Sequence, residues 1–125
     1  MESRENILYT DITAAVYQEW TVLKKNKFGR IQERIMGIDS SKIYNYETQT
    51  RNAASVRHAQ RNLSTVLKVE YVPGGDNRAF RITFSDEGRE SYEIEYQCST
   101  TRNCSEIVSK LNYLLAARDS LHKKR

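Results

Sequence analysis

Lys24, Lys25, Lys27, Arg30 and Arg34 crowd into eleven consecutive positions, opposed by one acid, Glu33. Cations at this density suit the gripping of an anion: lysine offers a point charge, and arginine a planar fork that takes two oxygens at once. The stretch reads as a hairpin, because β-forming residues flank "NKFGR" on both sides and Gly29 supplies a permissive turn backbone. Side chains on two paired strands stand about 5 Å apart, a spacing that suits neighbouring phosphates on one ring. Phe28, beside Gly29, gives the hairpin an apolar tip and is the candidate for insertion into a lipid interface. Lys42 and Arg51, on either side of a third predicted strand, are candidates to line the same pocket.

Charge alone makes a weak binder. Each basic residue near an anionic surface contributes roughly 1 kcal/mol, so five cations less one acid give about 4 kcal/mol, a millimolar constant. Specific head-group contacts, or a second anchor in a larger protein, must supply the rest. The net charge is only +4, but it is unevenly spread. Residues 48–69 add Arg51, Arg57, Arg61 and Lys68 with no acid, whereas residues 86–95 carry five acids against Arg89. Such asymmetry orients a domain near a charged partner. Arg57 and Arg61 fall in a predicted loop and are expected to lie outside the hairpin's mouth.

Other chemistries find less support. His58 and His122 have no recognisable acid–base partners, and Cys98 and Cys104 lack the convergent histidines of a zinc site. "PGGDN" lacks the lysine and the serine or threonine of a phosphate loop. In "RAFRITF", Arg81 sits where an RNA-recognition strand requires glycine or alanine. The expectation is a non-enzymatic, monomeric binding module with no cofactor, no metal and no nucleic-acid partner. No apolar run reaches 18 residues and the N-terminus lacks a signal-peptide pattern. A cytoplasmic protein with unpaired thiols is therefore expected, peripheral at the plasma membrane or endosome.

The elements that must position the hairpin follow from periodicity. At 125 residues, 38% hydrophobic and 29% charged, the chain suits one globular domain. Residues 1–15 read as an extension, 16–121 as the domain and 122–125 as a basic tail. "VYQEWTVLKK", "IQERIMGI" and "KIYNYE" read as strands, with a short fourth near Ser55 to Ala59. "LSTVLKVEYV", "RAFRITF" and "SYEIEYQC" complete seven, with Leu67, Val69 and Tyr71 expected on one face. The period then becomes helical from about Cys104 to Leu121. Ile107, Val108, Leu111, Leu114, Leu115 and Leu121 form one apolar stripe, and Asn103 with Glu106 fits a capping box. A single apolar face needs a sheet opening to cover.

Seven strands and one C-terminal helix is the element order of the pleckstrin-homology superfold, a partly open barrel capped by its helix. Tyr17 through Val22, Glu33-Arg34, Ile38-Asp39, Ile43-Tyr44 and Glu106 through Arg118 carry a narrower resemblance. There the chain resembles the pleckstrin-homology domain of the stress-kinase-interacting subunit of target-of-rapamycin complex 2. It is also similar to the N-terminal domain of endosomal J-domain proteins. Both resemblances imply binding of anionic phosphoinositide membranes; the first also implies a protein kinase complex as partner. Two departures stand out: the tryptophan usual in the helix is replaced by Leu111, Tyr113 and Leu114, and Gln32 stands between Arg30 and Arg34 where a basic residue is common. The alternative within the superfold is a protein-interaction module that docks a peptide or kinase along the fifth strand and the helix.

Overall fold

The computed structural model describes residues 16–26, 28–47, 58–86 and 89–123. Seven strands, β1 (Gln18–Lys25), β2 (Ile31–Ile38), β3 (Lys42–Glu47), β4 (His58–Asn62), β5 (Val66–Tyr71), β6 (Ala79–Asp86) and β7 (Arg89–Gln97), precede one helix, α1 (Thr101–Lys123). All strand pairs are antiparallel, in the order β4-β3-β2-β1-β7-β6-β5. β1 is the corner of the sheet: it pairs with β2 along its whole length but with β7 only through Leu23 to Lys25. β4 and β5 remain edges, so the barrel is partly open, as the element order implies.

Alternation decides what lies inside. Trp20 and Val22 on β1, Met36 and Ile38 on β2, Ile43 on β3, Phe80, Ile82 and Phe84 on β6, and Ile94 and Tyr96 on β7 are all buried in one core. On the outer face the ring of Tyr17 lies directly over Gly37, where a Cβ would collide with it. Tyr17 also packs edge-on against Tyr44, their centroids 5.8 Å apart.

Three boundaries differ from the periodicity reading. β4 runs from His58 to Asn62, about three residues later than expected, and a 3-10 turn (Leu63–Thr65) separates it from β5. β5 does not alternate simply, because the register shifts between Val66 and Lys68. That bulge turns Leu67 outward, leaving it 54% exposed, while Val66 and Val69 face the core. α1 starts three residues earlier than expected, capped by Thr100, whose Oγ1 accepts the Asn103 N–H at 3.0 Å. Glu106 instead accepts from Trp20 Nε1 at 3.0 Å and pairs with Arg102.

The helix closes the barrel end away from the hairpin. Ile107, Leu111 and Leu115 are buried beneath it, with Leu114 packed against the core. Polar ties fix its seat: Lys110, fully buried, donates to the Val16 carbonyl (2.7 Å) and to Gln18 Oε1 (2.6 Å). Arg118 donates to the carbonyls of Leu63 and Val66, joining the helix to the β4–β5 connection. Cys98 and Cys104 are free and both are buried where β7 meets α1. Alkylation of the native, unreduced protein is expected to label neither thiol, and unfolding without reductant to expose both. Failure of both to label once unfolded would show a disulfide instead.

Candidate functional site

The sheet sorts the five crowded cations by direction. Trp20 and Val22 point inward, so Lys24 shares their side of β1 and Lys25 faces out. The register pairs Lys24 with Gln32 and Val22 with Arg34, so Gln32 and Arg34 line the same interior wall. Arg34 is steadied by a 2.8 Å bond from Nη1 to the Glu33 carbonyl. At the tip, Asn26 Oδ1 accepts the N–H groups of Phe28 and Arg30, both at 2.9 Å, and Gly29 takes φ +83°. Phe28 is 84% exposed, and Leu23 and Ile31 are exposed beside it on the outer face.

Lys25 lies directly across from Glu95. With Asn26, Arg81, Glu93 and Glu95 it lines a shallow outer pocket of about 210 Å³. Two carboxylates against two cations make that pocket a poor anion site. Lys42 does not come to the mouth. It follows the turn after Ile38, about 23 Å along β2 from Ile31 at a 3.3 Å rise per residue, and its Nζ donates to Gln60 Oε1 at 3.2 Å. Lys27 and Arg51 lie outside the described residues, as does Arg57.

The structure adds a residue that the sequence reading had placed elsewhere. Arg61 is in β4, opposite the inward Ile43, and it too points inside. Its guanidinium lies 5.2 Å from the centroid of the Phe84 ring and 5.9 Å from that of Tyr92, and Nε donates to the Tyr92 hydroxyl at 3.0 Å. The expectation of a loop outside the mouth fails because β4 extends to Asn62, which gives Arg61 the parity of the core. Sliding the strand by three residues had hidden that parity. Asn45, on inward β3, is 4% exposed and accepts the Tyr96 hydroxyl at 3.1 Å. Tyr96 in turn is the register partner of Lys24 across β1 and β7.

Lys24, Arg34 and Arg61 therefore converge on one interior. Burial lowers the Lys24 pKa below its usual value, and the charges of Arg61 and Arg34 lower it further. Neither Lys24, Arg34 nor Arg61 is in a salt bridge with a described carboxylate. Burial pushes the Tyr96 hydroxyl up to about 12, so it keeps its proton and donates to Asn45. The wall thus presents donors and positive charge, which suits an oxyanion. Among the described residues no three His, Cys, Asp or Glu side chains converge as a metal site.

Seven antiparallel strands around a cation-lined mouth, closed at the far end by one helix, define a pleckstrin-homology domain. The chain belongs to the Sin1 branch of that fold: residues 15–117 match the family described as SAPK-interacting protein 1 (Sin1), Pleckstrin-homology. No curated protein matches the chain. Among solved structures, the Slm1-PH domain in complex with inositol 4-phosphate is 13% identical with a TM-score of 0.64, over 78% of this chain and 94% of that one. The N-terminal PH domain of human ARAP2 is 15% identical with a TM-score of 0.62, over 82% and 81% of the two chains. The DH/PH domains of PDZ-RhoGEF, in complex with RhoA, are 13% identical with a TM-score of 0.67, over 94% of this chain and 34% of that one. The chain likewise spans only 30% of the DH/PH chain of p115-RhoGEF. At these identities the likeness is one of fold.

Proposed function

We propose that this domain is a non-catalytic module that binds phosphoinositide head groups on the concave side of the β1–β2 hairpin. In doing so it brings a larger signalling protein, such as a subunit of target-of-rapamycin complex 2, to an anionic membrane. The observation that carries the reading is the convergence of Lys24, Arg34 and Arg61, three cations with no described carboxylate in a salt bridge with them. Holding like charges together is unfavourable unless a ligand compensates them, which is why such clusters mark functional sites. The concave side is favoured over the outer pocket because Glu93 and Glu95 line the latter. The Slm1-PH complex with inositol 4-phosphate supports the ligand class through a fold relative.

Membrane residence follows from adding terms. Four net charges contribute about 4 kcal/mol, and burying the exposed Phe28 ring adds about 2 kcal/mol. Together these correspond to a dissociation constant of tens of micromolar. In this reading Arg30 serves the lip and Lys25 the outer surface, while Lys42 is turned to Gln60 instead. The test is vesicle sedimentation near 0.15 M salt, where screening beyond about 8 Å removes diffuse attraction. The domain is expected to sediment with vesicles containing phosphatidylinositol 4,5-bisphosphate, and less with phosphatidylserine vesicles of equal charge. Equal sedimentation with both would reduce the site to a diffuse electrostatic surface. No sedimentation with either would leave peptide or kinase docking as the module's role.

A further inference from the structure

Two cysteines meet where β7 gives way to α1. Cys98 follows Ile94 and Tyr96 on the inward row of β7, and Cys104 leads Ile107, Val108 and Leu111 on the buried side of α1. A single buried free cysteine behaves as a small hydrophobe. Here the two thiols touch: the Cys98 thiol donates a hydrogen bond to the Cys104 sulfur. That bond holds Cys98 above the ordinary thiol range, with burial adding to it, and draws Cys104 below that range against its own burial. Cys104 also stands in the first turn of a 23-residue helix, where backbone N–H groups favour a thiolate. Both backbones are anchored: the Cys98 N–H donates to the Arg78 carbonyl at 2.7 Å, and the Cys104 N–H to the Thr100 carbonyl at 3.3 Å. Ser99, Thr100 and Ser105 around the pair are exposed. Tyr71, 37% exposed at the end of β5, is joined to Ser105 by a hydrogen bond and lies within electrostatic reach of both sulfurs. The pair therefore lies just beneath the surface, and a small solute reaches it by a swing of the Tyr71 ring and a fraying of the first helical turn.

We infer that Cys98 and Cys104 form a peroxide-sensitive dithiol, closed by oxidation into a disulfide that fastens the first turn of α1 to the end of β7. Cys104 attacks first. Its thiolate sulfur displaces hydroxide from hydrogen peroxide, breaking the O–O bond and becoming a sulfenic acid. The Cys98 sulfur then attacks the Cys104 sulfur, and its own proton leaves with the sulfenic hydroxyl as water. Two thiols and one peroxide thus become one disulfide and two waters, with two electrons passing from sulfur to oxygen. Sulfurs already in hydrogen-bond contact need little more than side-chain rotation to reach disulfide geometry. The closed loop is short, residues 98–104, so the disulfide constrains the unfolded chain only modestly. It grips α1 at the turn that presents Glu106 to Trp20 Nε1. The inference does not depend on the head-group reading.

The test is peptide mapping of the folded wild-type domain after exposure to hydrogen peroxide, alkylation in denaturant and digestion with trypsin. Trypsin cuts after Arg102, between the two cysteines, so the disulfide joins peptide 90–102 to peptide 103–110. The expected result is that linked pair, two hydrogens lighter than the separate peptides and lost on treatment with dithiothreitol. The oxidised domain should melt about 5 °C above the reduced one. Cys98→Ala leaves no second thiol, so Cys104 should be trapped as a sulfenic acid by dimedone, whereas Cys98 in the Cys104→Ala variant should not react. Alkylation of both thiols in peroxide-treated wild type would overturn the inference, and so would added oxygens in place of the linked pair. A disulfide between two copies, seen as a dimer on a non-reducing gel, would overturn it as well. Dimedone capture of Cys98 but not of Cys104 would overturn Cys104 as the attacking sulfur. If either alanine variant fails to fold, the wild-type map alone decides.

Discussion

Lys24→Glu combined with Arg34→Glu is expected to abolish sedimentation with phosphoinositide vesicles, whereas Lys25→Glu with Arg30→Glu, an equal change in charge, should only weaken it. Each double reversal alters the charge by four units, worth about 4 kcal/mol if all four charges meet the ligand, or roughly a thousandfold in affinity. Direction decides how much of that is felt. Lys24 and Arg34 share the inner wall with Arg61, while Lys25 faces out across from Glu95 and Arg30 sits at the exposed tip. The inner pair should also lose binding without losing stability. Removing two cations from beside Arg61 relieves repulsion, so the thermal midpoint should hold or rise as affinity collapses. A fall in the midpoint equal to that of a core mutant would mean that these side chains support the fold rather than a ligand. Equal losses from both pairs would replace the pocket with a smeared charge.

That contrast depends on parity, and parity is where the sequence was most and least legible. β2 and β3 could be bounded to the residue because β-branched and aromatic residues fill them and turns flank both. The apolar stripe of α1 was equally plain, with Ile107, Leu111 and Leu115 falling in the core. The basic hairpin was visible from composition alone. What composition lacks is a face: it groups Lys24 with Lys25, although the pleat sends them to opposite sides of the sheet. The far wall of the site was hidden for a different reason. β4 is short, polar and an edge strand, so "HAQRN" has no hydrophobic alternation to reveal that Arg61 points inward. Its parity comes from pairing with β3, a long-range contact. Asn45 was hidden inside "KIYNYE" for a related reason, since a polar residue at a core position of a strand is readable only once its partner, here Tyr96, is known. Lys110 illustrates the same limit on the helix: a lysine on the apolar stripe reads as an interruption until the Val16 carbonyl and Gln18 are found beneath it.

Leu111→Ala is expected to produce the largest loss of stability available from one side chain of α1. Leu111 is fully buried among Ile107, Leu115 and the barrel residues. Truncating such a leucine costs about 2–5 kcal/mol, the transfer of its methyl groups plus the cavity left behind. For a domain of this size that should lower the thermal midpoint by about 10 °C. Leu114→Ala, at a partly buried position against the same core, should cost less. The helix ties to Val16 and Gln18 at the start of β1, whereas Lys24 is near its end, about 20 Å along the strand at 3.3 Å per residue. The folded fraction of Leu111→Ala should therefore bind inositol 1,4,5-trisphosphate with wild-type affinity at a temperature well below its midpoint. Chemical denaturation and calorimetric titration on the same sample separate the two quantities. An unchanged midpoint would mean that the helix does not close the barrel. A large loss of affinity at full folding would mean that the helix and the hairpin mouth are energetically coupled.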